Sequence, residues 1–524
     1  MKRIRAVLAA FIAVTLLFLS ACGKEPTPDT PTPDTSSPSE DVSLSLQLLY
    51  CSNDTLNPYA TKNKSNSELG LLLFDSLVTV SDNFEPIYLL AESVNTENNI
   101  CSVKLRSARF SDGSAVTAED VVSSCTLAKE SALYKPLFYE VKSVTAVDGL
   151  TVTFELTRHD PYFANMLTFP IIKKGSESMK NEDNVEIPPI GSGRFVFSAK
   201  EKALVANEYY YGECNIKRIS LVDAPDSESV EHYVEIGATD FYYTDPIADR
   251  IIRMSGKKTV LNMNRLFYIG INHSYGKLSS PELRQAISSA IDRKAIAKTS
   301  FYGYAKAANG FFHPEWEATS GYQTLQTTAD KKISVENLEK IGYNSLDNEG
   351  FRVNSHGTVL GFTLLVNGSN PVRVAAANLI KEQLAEVGIK ITLNKVSSSQ
   401  YHSALANGHF QLYLGEVEMP SNMDVSELVI AGGKAAYGIN AAAPADKSEK
   451  ENDENTEETF DYASVVKGYQ NGKNSITEVA TSLINYMPVV PVAFRDAILF
   501  YSDNISDIGE VSSQDIFLSL NKYN

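Results

Sequence analysis

The stretch Arg109-Phe110-Ser111-Asp112-Gly113-Ser114-Ala115-Val116-Thr117-Ala118-Glu119-Asp120-Val121-Val122 constrains this chain more than any other. Its pattern predicts a strand ending at Phe110, a tight turn whose Gly113 can take a positive φ, and a helix entered at Thr117. The Thr117 hydroxyl can accept from the backbone N–H of Asp120 while the Asp120 carboxylate reaches back to the open donors, a shortened capping box. Within that helix Val121, Cys125 and Ala128 share one face and read as core. A length of 524 residues exceeds one core and predicts two or three domains. Apolar content of 43% with 10% aromatics predicts a folded, globular chain. A net charge of −17 argues against nucleic acid as a partner, because phosphates require a basic face.

The first residues read as a leader. Lys2, Arg3 and Arg5 precede an apolar run from Ala6 to Leu19, too short for a comfortable membrane span. Residues 1–21 are therefore expected to be a signal peptide, and Leu19-Ser20-Ala21-Cys22 resembles the lipobox of bacterial lipoproteins. That resemblance implies cleavage before Cys22 and a diacylglycerol on its sulfur, and two acyl chains anchor stably where one is marginal. Residues 22–41, rich in Thr-Pro-Asp, can form neither core nor helix. As polyproline II they extend roughly 55 Å at about 3.1 Å per residue, a tether between membrane and globular part. Cys51, Cys101, Cys125 and Cys214 match no zinc or redox spacing; a Cys101–Cys125 disulfide is open, and buried free thiols are the favoured state.

With Leu105-Arg106 before it, the opening stretch resembles the "LR…FSDGxPxTAxDV" signature of the family 5 extracytoplasmic solute-binding proteins of ABC importers. Further landmarks follow in that family's order: Thr55-Leu56-Asn57-Pro58-Tyr59, Glu85-Pro86-Ile87-Tyr88-Leu89-Leu90-Ala91-Glu92-Ser93, Ile187 to Phe197, and Asn207 to Gly212. Ser280 to Arg293 is similar to "VRxAIxxAIDR". It also reads on its own terms as a helix with a serine cap, Pro281 in its first turn, and a stripe of Leu283, Ala286, Ile287, Ala290 and Ile291. Phe362–Val366, a helix from Pro371 to Gly388 and Ile389–Leu393 form a βαβ rhythm.

The resemblance implies an α/β fold of the periplasmic-binding-protein type II, family 5 class C, with two main lobes, a small inserted lobe and hinges. The implied first lobe is discontinuous, 42–60 with 170–270 and 488–524. The second spans 61–169 and the third 271–487, with an acidic insertion at about 441–460 where Lys447 and Lys450 face seven acids.

Candidate ligand residues come from the same landmarks. Asn57 and Tyr59 lie in the turn after the first strand, and Tyr59 offers a flat face near the expected cleft mouth; a simple turn with a packed tyrosine is the better reading of the residues alone. Arg194 replaces the family's usual proline and could pair with an anionic group; a surface arginine without that role is as good a reading. Trp316, the single tryptophan, stands in a loop resembling one beside the family's ligand, and Asn367 follows the predicted strand Phe362–Val366. Many peptide binders show "WxxDYxDP", whose first aspartate meets the ligand ammonium. Here Gly415-Glu416-Val417-Glu418-Met419-Pro420 lacks the tryptophan and offers Glu418, with Glu416 and Asp424 nearby; solvated loop acids are an equal reading.

No nucleophile elbow, metalloprotease helix, Walker loop or dinucleotide fingerprint appears, so no enzyme, cofactor or metal is expected. The expected role is that of a monomeric, lipid-anchored binder that closes its lobes on a peptide and presents it to permease subunits. A nickel chelate or an oligosaccharide remains open as cargo. So does a ligand-sensing or adhesion lipoprotein.

Overall fold

The computed structural model describes residues 45–247, 252, 254–440 and 461–520. The expected signal peptide, Cys22, the tether and the acidic insertion lie outside the described residues. Among those described, no helix is long and apolar enough to cross a membrane.

Three sheets carry three bodies of core. The first has four strands in the order Leu46–Tyr50, Arg218–Asp223, Ala203–Ala206 and Phe195–Ser198, the first pair parallel. Leu46 and Leu48 point inward from it and meet Leu69, Leu72 and Leu73 of the helix Lys64–Leu73. Asn63 caps that helix by accepting from the Asn66 N–H at 3.2 Å.

The second sheet is antiparallel, in the order Ala91–Glu97, Ile100–Leu105, Thr151–Leu156, Val141–Ala146. The helix Ala118–Glu130 lays Val121, Cys125 and Ala128 against Cys101, Val103 and Phe154. The signature stretch behaves as its chemistry requires. Gly113 has φ 84°, and the Asp120 carboxylate accepts from the Thr117 N–H at 2.9 Å and its hydroxyl at 2.6 Å. The regular strand stops at Leu105, however, and Arg109 only bridges to Ala115 across the turn. Cys101 and Cys125 are free thiols in this core, and burial pushes the Cys101 thiol up to about 11.

The third sheet runs Phe241–Thr244, Val490–Tyr501, Lys257–Ile271, Leu412–Glu418, Gly361–Asn367, Lys390–Val396, with Ala305–Ala307 beside Val490–Tyr501. Its two longest strands, of 15 and 12 residues, pair antiparallel and pass from one core to another. Leu261 and Leu499 belong with the first sheet's core, whereas Leu266, Ile269, Val490 and Phe494 belong to the large core under the helices Pro281–Ala290 and Pro371–Ala385. Between the two the register breaks. Asn262 faces Asp496 and Leu266 faces Phe494, so three residues on one strand oppose Arg495 alone.

Two segments pack away from the lobe that chain order implies. The helix Lys64–Leu73, within the expected second lobe, contributes its leucines to the first core, and Val80 and Phe84 reach the large core. An apolar stripe records that a face is buried, but not which neighbour buries it.

Candidate functional site: the crossing of the two long strands

The register break sets Arg265 and Arg495 side by side with three acids. Strand alternation puts Glu416 and Glu418 on one face of Leu412–Glu418, opposite Phe267 and Arg265 respectively. Asp245 follows the strand Phe241–Thr244, and Arg373 stands in the first turn of Pro371–Ala385. Arg495 Nη1 donates to Glu416 Oε1 at 2.5 Å, and its Nη2 donates to Asp245. Arg265 Nη2 donates to Glu418 Oε2 at 2.7 Å and its Nη1 to Asp245 Oδ2 at 3.3 Å. Arg373 Nη2 stands 3.6 Å from Glu416 Oε2.

Among the described residues three guanidinium groups thus meet three carboxylates around one break in a sheet. Burial works against the Arg265 charge, but Glu418, Glu416 and Asp245 outweigh it and hold the guanidinium above its ordinary value. The cluster is not filled. Arg495 is 3% exposed while Glu418 is 70% exposed, so one side opens to solvent. The buried Nε atoms of Arg373 and Arg495 find no acceptor among the described residues. An incoming carboxylate would complete them, and an unfilled buried donor carries a desolvation cost of about 1–3 kcal/mol.

Tyr243 joins this cluster to a pocket. Its phenol lies in the field of Glu68, Asp245, Arg265 and Glu418, and burial is the first cause that raises it. The pocket has a volume of about 620 Å³ and is lined by Leu48, Lys62, Lys64, Glu68, Leu69 and Tyr243, among others. Lys64 Nζ donates to the Tyr243 carbonyl at 2.7 Å.

Of the residues expected from sequence, Glu416 and Glu418 lie in this cluster. Asn367 ends its strand beside the turn into Arg373's helix, and its Oδ1 accepts from the Ser369 N–H at 3.1 Å. The others are occupied by the protein. Asn57 Nδ2 donates to the Glu177 carbonyl at 2.9 Å, and the Tyr59 hydroxyl donates to the Pro170 carbonyl. Arg194 is buried and donates to the Phe517 carbonyl at 2.7 Å, with Asp515 at 3.7 Å. Trp316 is 1% exposed, edge-on to Tyr162 at 4.9 Å. Asp424 pairs with Arg158 at 2.5 Å, away from the crossing.

Sequence reading missed Arg265, Arg373, Arg495, Asp245, Lys62, Lys64 and Glu68. For one of them a signal existed: Arg495-Asp496 interrupts an apolar strand, and charges in a buried strand require partners.

Comparison with known proteins agrees with this architecture. Residues 85–430 match the family described as bacterial extracellular solute-binding proteins, family 5 middle. The chain is 25% identical over 422 residues to the oligopeptide-binding protein AppA of Bacillus subtilis, covering 75% of this chain and 76% of AppA. Among solved structures, a nickel ABC transporter protein from Bacillus halodurans superposes with a TM-score of 0.70 at 19% identity, covering 92% of this chain and 99% of that one. The periplasmic murein tripeptide-binding protein MppA, in its unliganded open form, gives 0.68 at 17% identity, covering 87% and 93%.

Proposed function

We propose that this chain, which belongs to the family 5 bacterial extracellular solute-binding proteins of ABC importers, captures peptides at the crossing of its two long strands. One observation carries the reading: a cluster of Arg265, Arg373 and Arg495 with Asp245, Glu416 and Glu418 opens to solvent at Glu418 and holds two buried guanidinium Nε atoms with no acceptor among the described residues. A zwitterionic peptide suits such a site, its carboxylate going to the spare guanidinium donors. The names of the relatives AppA and MppA, an oligopeptide binder and a murein tripeptide binder, support it.

The lobes expected from sequence are proposed to close around the cargo, with the register break at Asn262–Leu266 as the joint. Closure requires contacts to cargo made only in the shut state. Cys22 is proposed to anchor the protein to the membrane, where it delivers cargo to permease subunits. Mass spectrometry of material co-purifying with the protein tests the cargo, and peptides are expected. Arg373→Met should weaken a bound peptide about 10- to 100-fold, and unchanged affinity would remove the cluster from the site. The Bacillus halodurans structure favours a second reading, a nickel chelate. No group of His, Cys, Asp and Glu among the described residues could hold a metal, so nickel would have to arrive within a chelator whose carboxylates meet the arginines. A thermal-shift screen of peptides, nickel chelates and oligosaccharides separates these cargoes.

A further inference from the structure

Glu68 lines the pocket of about 620 Å³ beside the crossing. Its Oε1 is cut off from solvent and meets no hydrogen-bond donor among the described residues. The obvious partner is engaged elsewhere: Lys64, one helical turn earlier, donates to the Tyr243 carbonyl at 2.7 Å and lies 5.0 Å from the centre of that ring. Leu48 and Leu69 make the wall around the carboxyl partly apolar. A carboxyl that lines a cavity with one oxygen left without a hydrogen-bond donor is suited to a partner that comes from outside.

We propose that this pocket receives a cationic group of the cargo, an ammonium or a guanidinium, with Glu68 as its counter-ion. The cavity is within the range that holds small ligands and has room for a lysine or arginine side chain. The assignment rests on the solute-binding reading and adds a charge class to it: the arginine cluster takes the anionic end of the cargo and the wall bearing Glu68 takes a cationic one. Asp226 and Glu231 also line the pocket, and Lys62 and Lys64 on its wall oppose a cation.

Protonation adds a second signature. Burial pushes the Glu68 carboxyl up to about 7, with Lys64 pulling the other way. A cation binds the ionised form, so it displaces a proton from the carboxyl into solvent, and affinity rises as the pH rises from 6 to 8. The groups facing Glu68 are Lys62 and Lys64 from its own helix and the turn before it, Asp226 and Glu231 across the pocket, and Tyr242 and Tyr243 from the strand Phe241–Thr244.

The test uses the full chain, wild type and Glu68→Gln, which keeps the shape of the protonated carboxyl. The probes are agmatine, the tripeptide Ala-Lys-Ala, its N-acetylated form, and Ala-norleucine-Ala, followed by thermal shift and calorimetry. Agmatine is expected to stabilise wild type, more at pH 8 than at pH 6, and to lose that effect in Glu68→Gln. Ala-Lys-Ala is expected to bind Glu68→Gln about 30-fold more weakly. A loss on N-acetylation assigns the pocket to the α-ammonium, and a loss with norleucine assigns it to the side chain. Agmatine shifts that are equal in both proteins, or absent from both, overturn the proposal. If no peptide binds either protein while the agmatine effect still depends on Glu68, the peptide reading falls and this one stands.

Discussion

Two ionic junctions, built from the same residue types, behave differently in this protein. At the crossing of the long strands, Arg265, Arg373 and Arg495 meet Asp245, Glu416 and Glu418, with Glu418 70% exposed and two Nε atoms unfilled. At the seam where the loop after Thr151–Leu156 meets the loop after Leu412–Glu418, Arg158 Nη2 lies 2.5 Å from Asp424 Oδ2 and its Nε 3.2 Å from Glu140 Oε2. Asn422 Nδ2 donates to Asp160 Oδ2 at 2.6 Å, Asn165 Nδ2 donates to the Ser421 carbonyl at 3.1 Å, and Tyr162 stands edge-on to Trp316. Among the described residues both junctions leave an arginine Nε without a hydrogen-bond acceptor, Arg158 at the seam and Arg373 and Arg495 at the crossing, but the Arg158–Asp424 pair is 18% and 16% exposed whereas Glu418 is 70% exposed. A salt bridge by itself therefore says little about function; what separates the two junctions is which one a solute can reach.

The largest test of that contrast is Arg495→Met. It strands Asp245 and Glu416 against each other with one partner fewer, and a loss of about 3–5 kcal/mol in urea unfolding is expected. A loss below 1 kcal/mol would show that the cluster carries no such strain. Asp424→Ala at the seam should cost about 2 kcal/mol, since the pair is 18% and 16% exposed. The swap Arg158→Asp with Asp424→Arg should recover part of it, whereas no recovery would mean that packing and not charge holds the seam.

Acidity separates the junctions further. Burial pushes the Asp160 carboxyl up to about 6, with Asn422 pulling it back. A carboxyl whose folded value stands above its unfolded value near 3.8 stabilises the fold at low pH, and that contribution disappears as the pH rises through about 6. Wild type should therefore lose on the order of 2 kcal/mol relative to Asp160→Asn between pH 4 and pH 7; parallel curves would sink the assignment. Smaller still, Glu418→Gln should change stability by less than about 1 kcal/mol, because its pair with Arg265 is exposed. The least effect is expected from Trp316: buried in the seam, its emission should stay unmoved by iodide and by any cargo held at the crossing.

Legibility followed the range of the interaction. The capping of Ala118–Glu130 by Thr117 and Asp120, and of Pro281–Ala290 by Ser280, depends on residues three apart and could be read directly. Glu416 and Glu418 were visible as acids in the segment Gly415–Pro420, open between a ligand partner and solvated loop charges. Their partners were not, because Arg265 and Arg495 come from segments far away in sequence and meet them only through sheet register. Arg194 misled for the converse reason: the carbonyl of Phe517, on which it is spent, is 323 residues away.

The sequence by itself determined the local units and their order, since turns, caps and apolar periodicity are written within a few residues and their signature carries the family. Tertiary structure alone decided which charges close on one another and which stay open, because pairing depends on where a register break brings distant strands together. Glu68 shows the limit most clearly: nothing around it in the chain distinguishes it from a surface glutamate, and only the folded wall leaves its Oε1 buried without a hydrogen-bond donor.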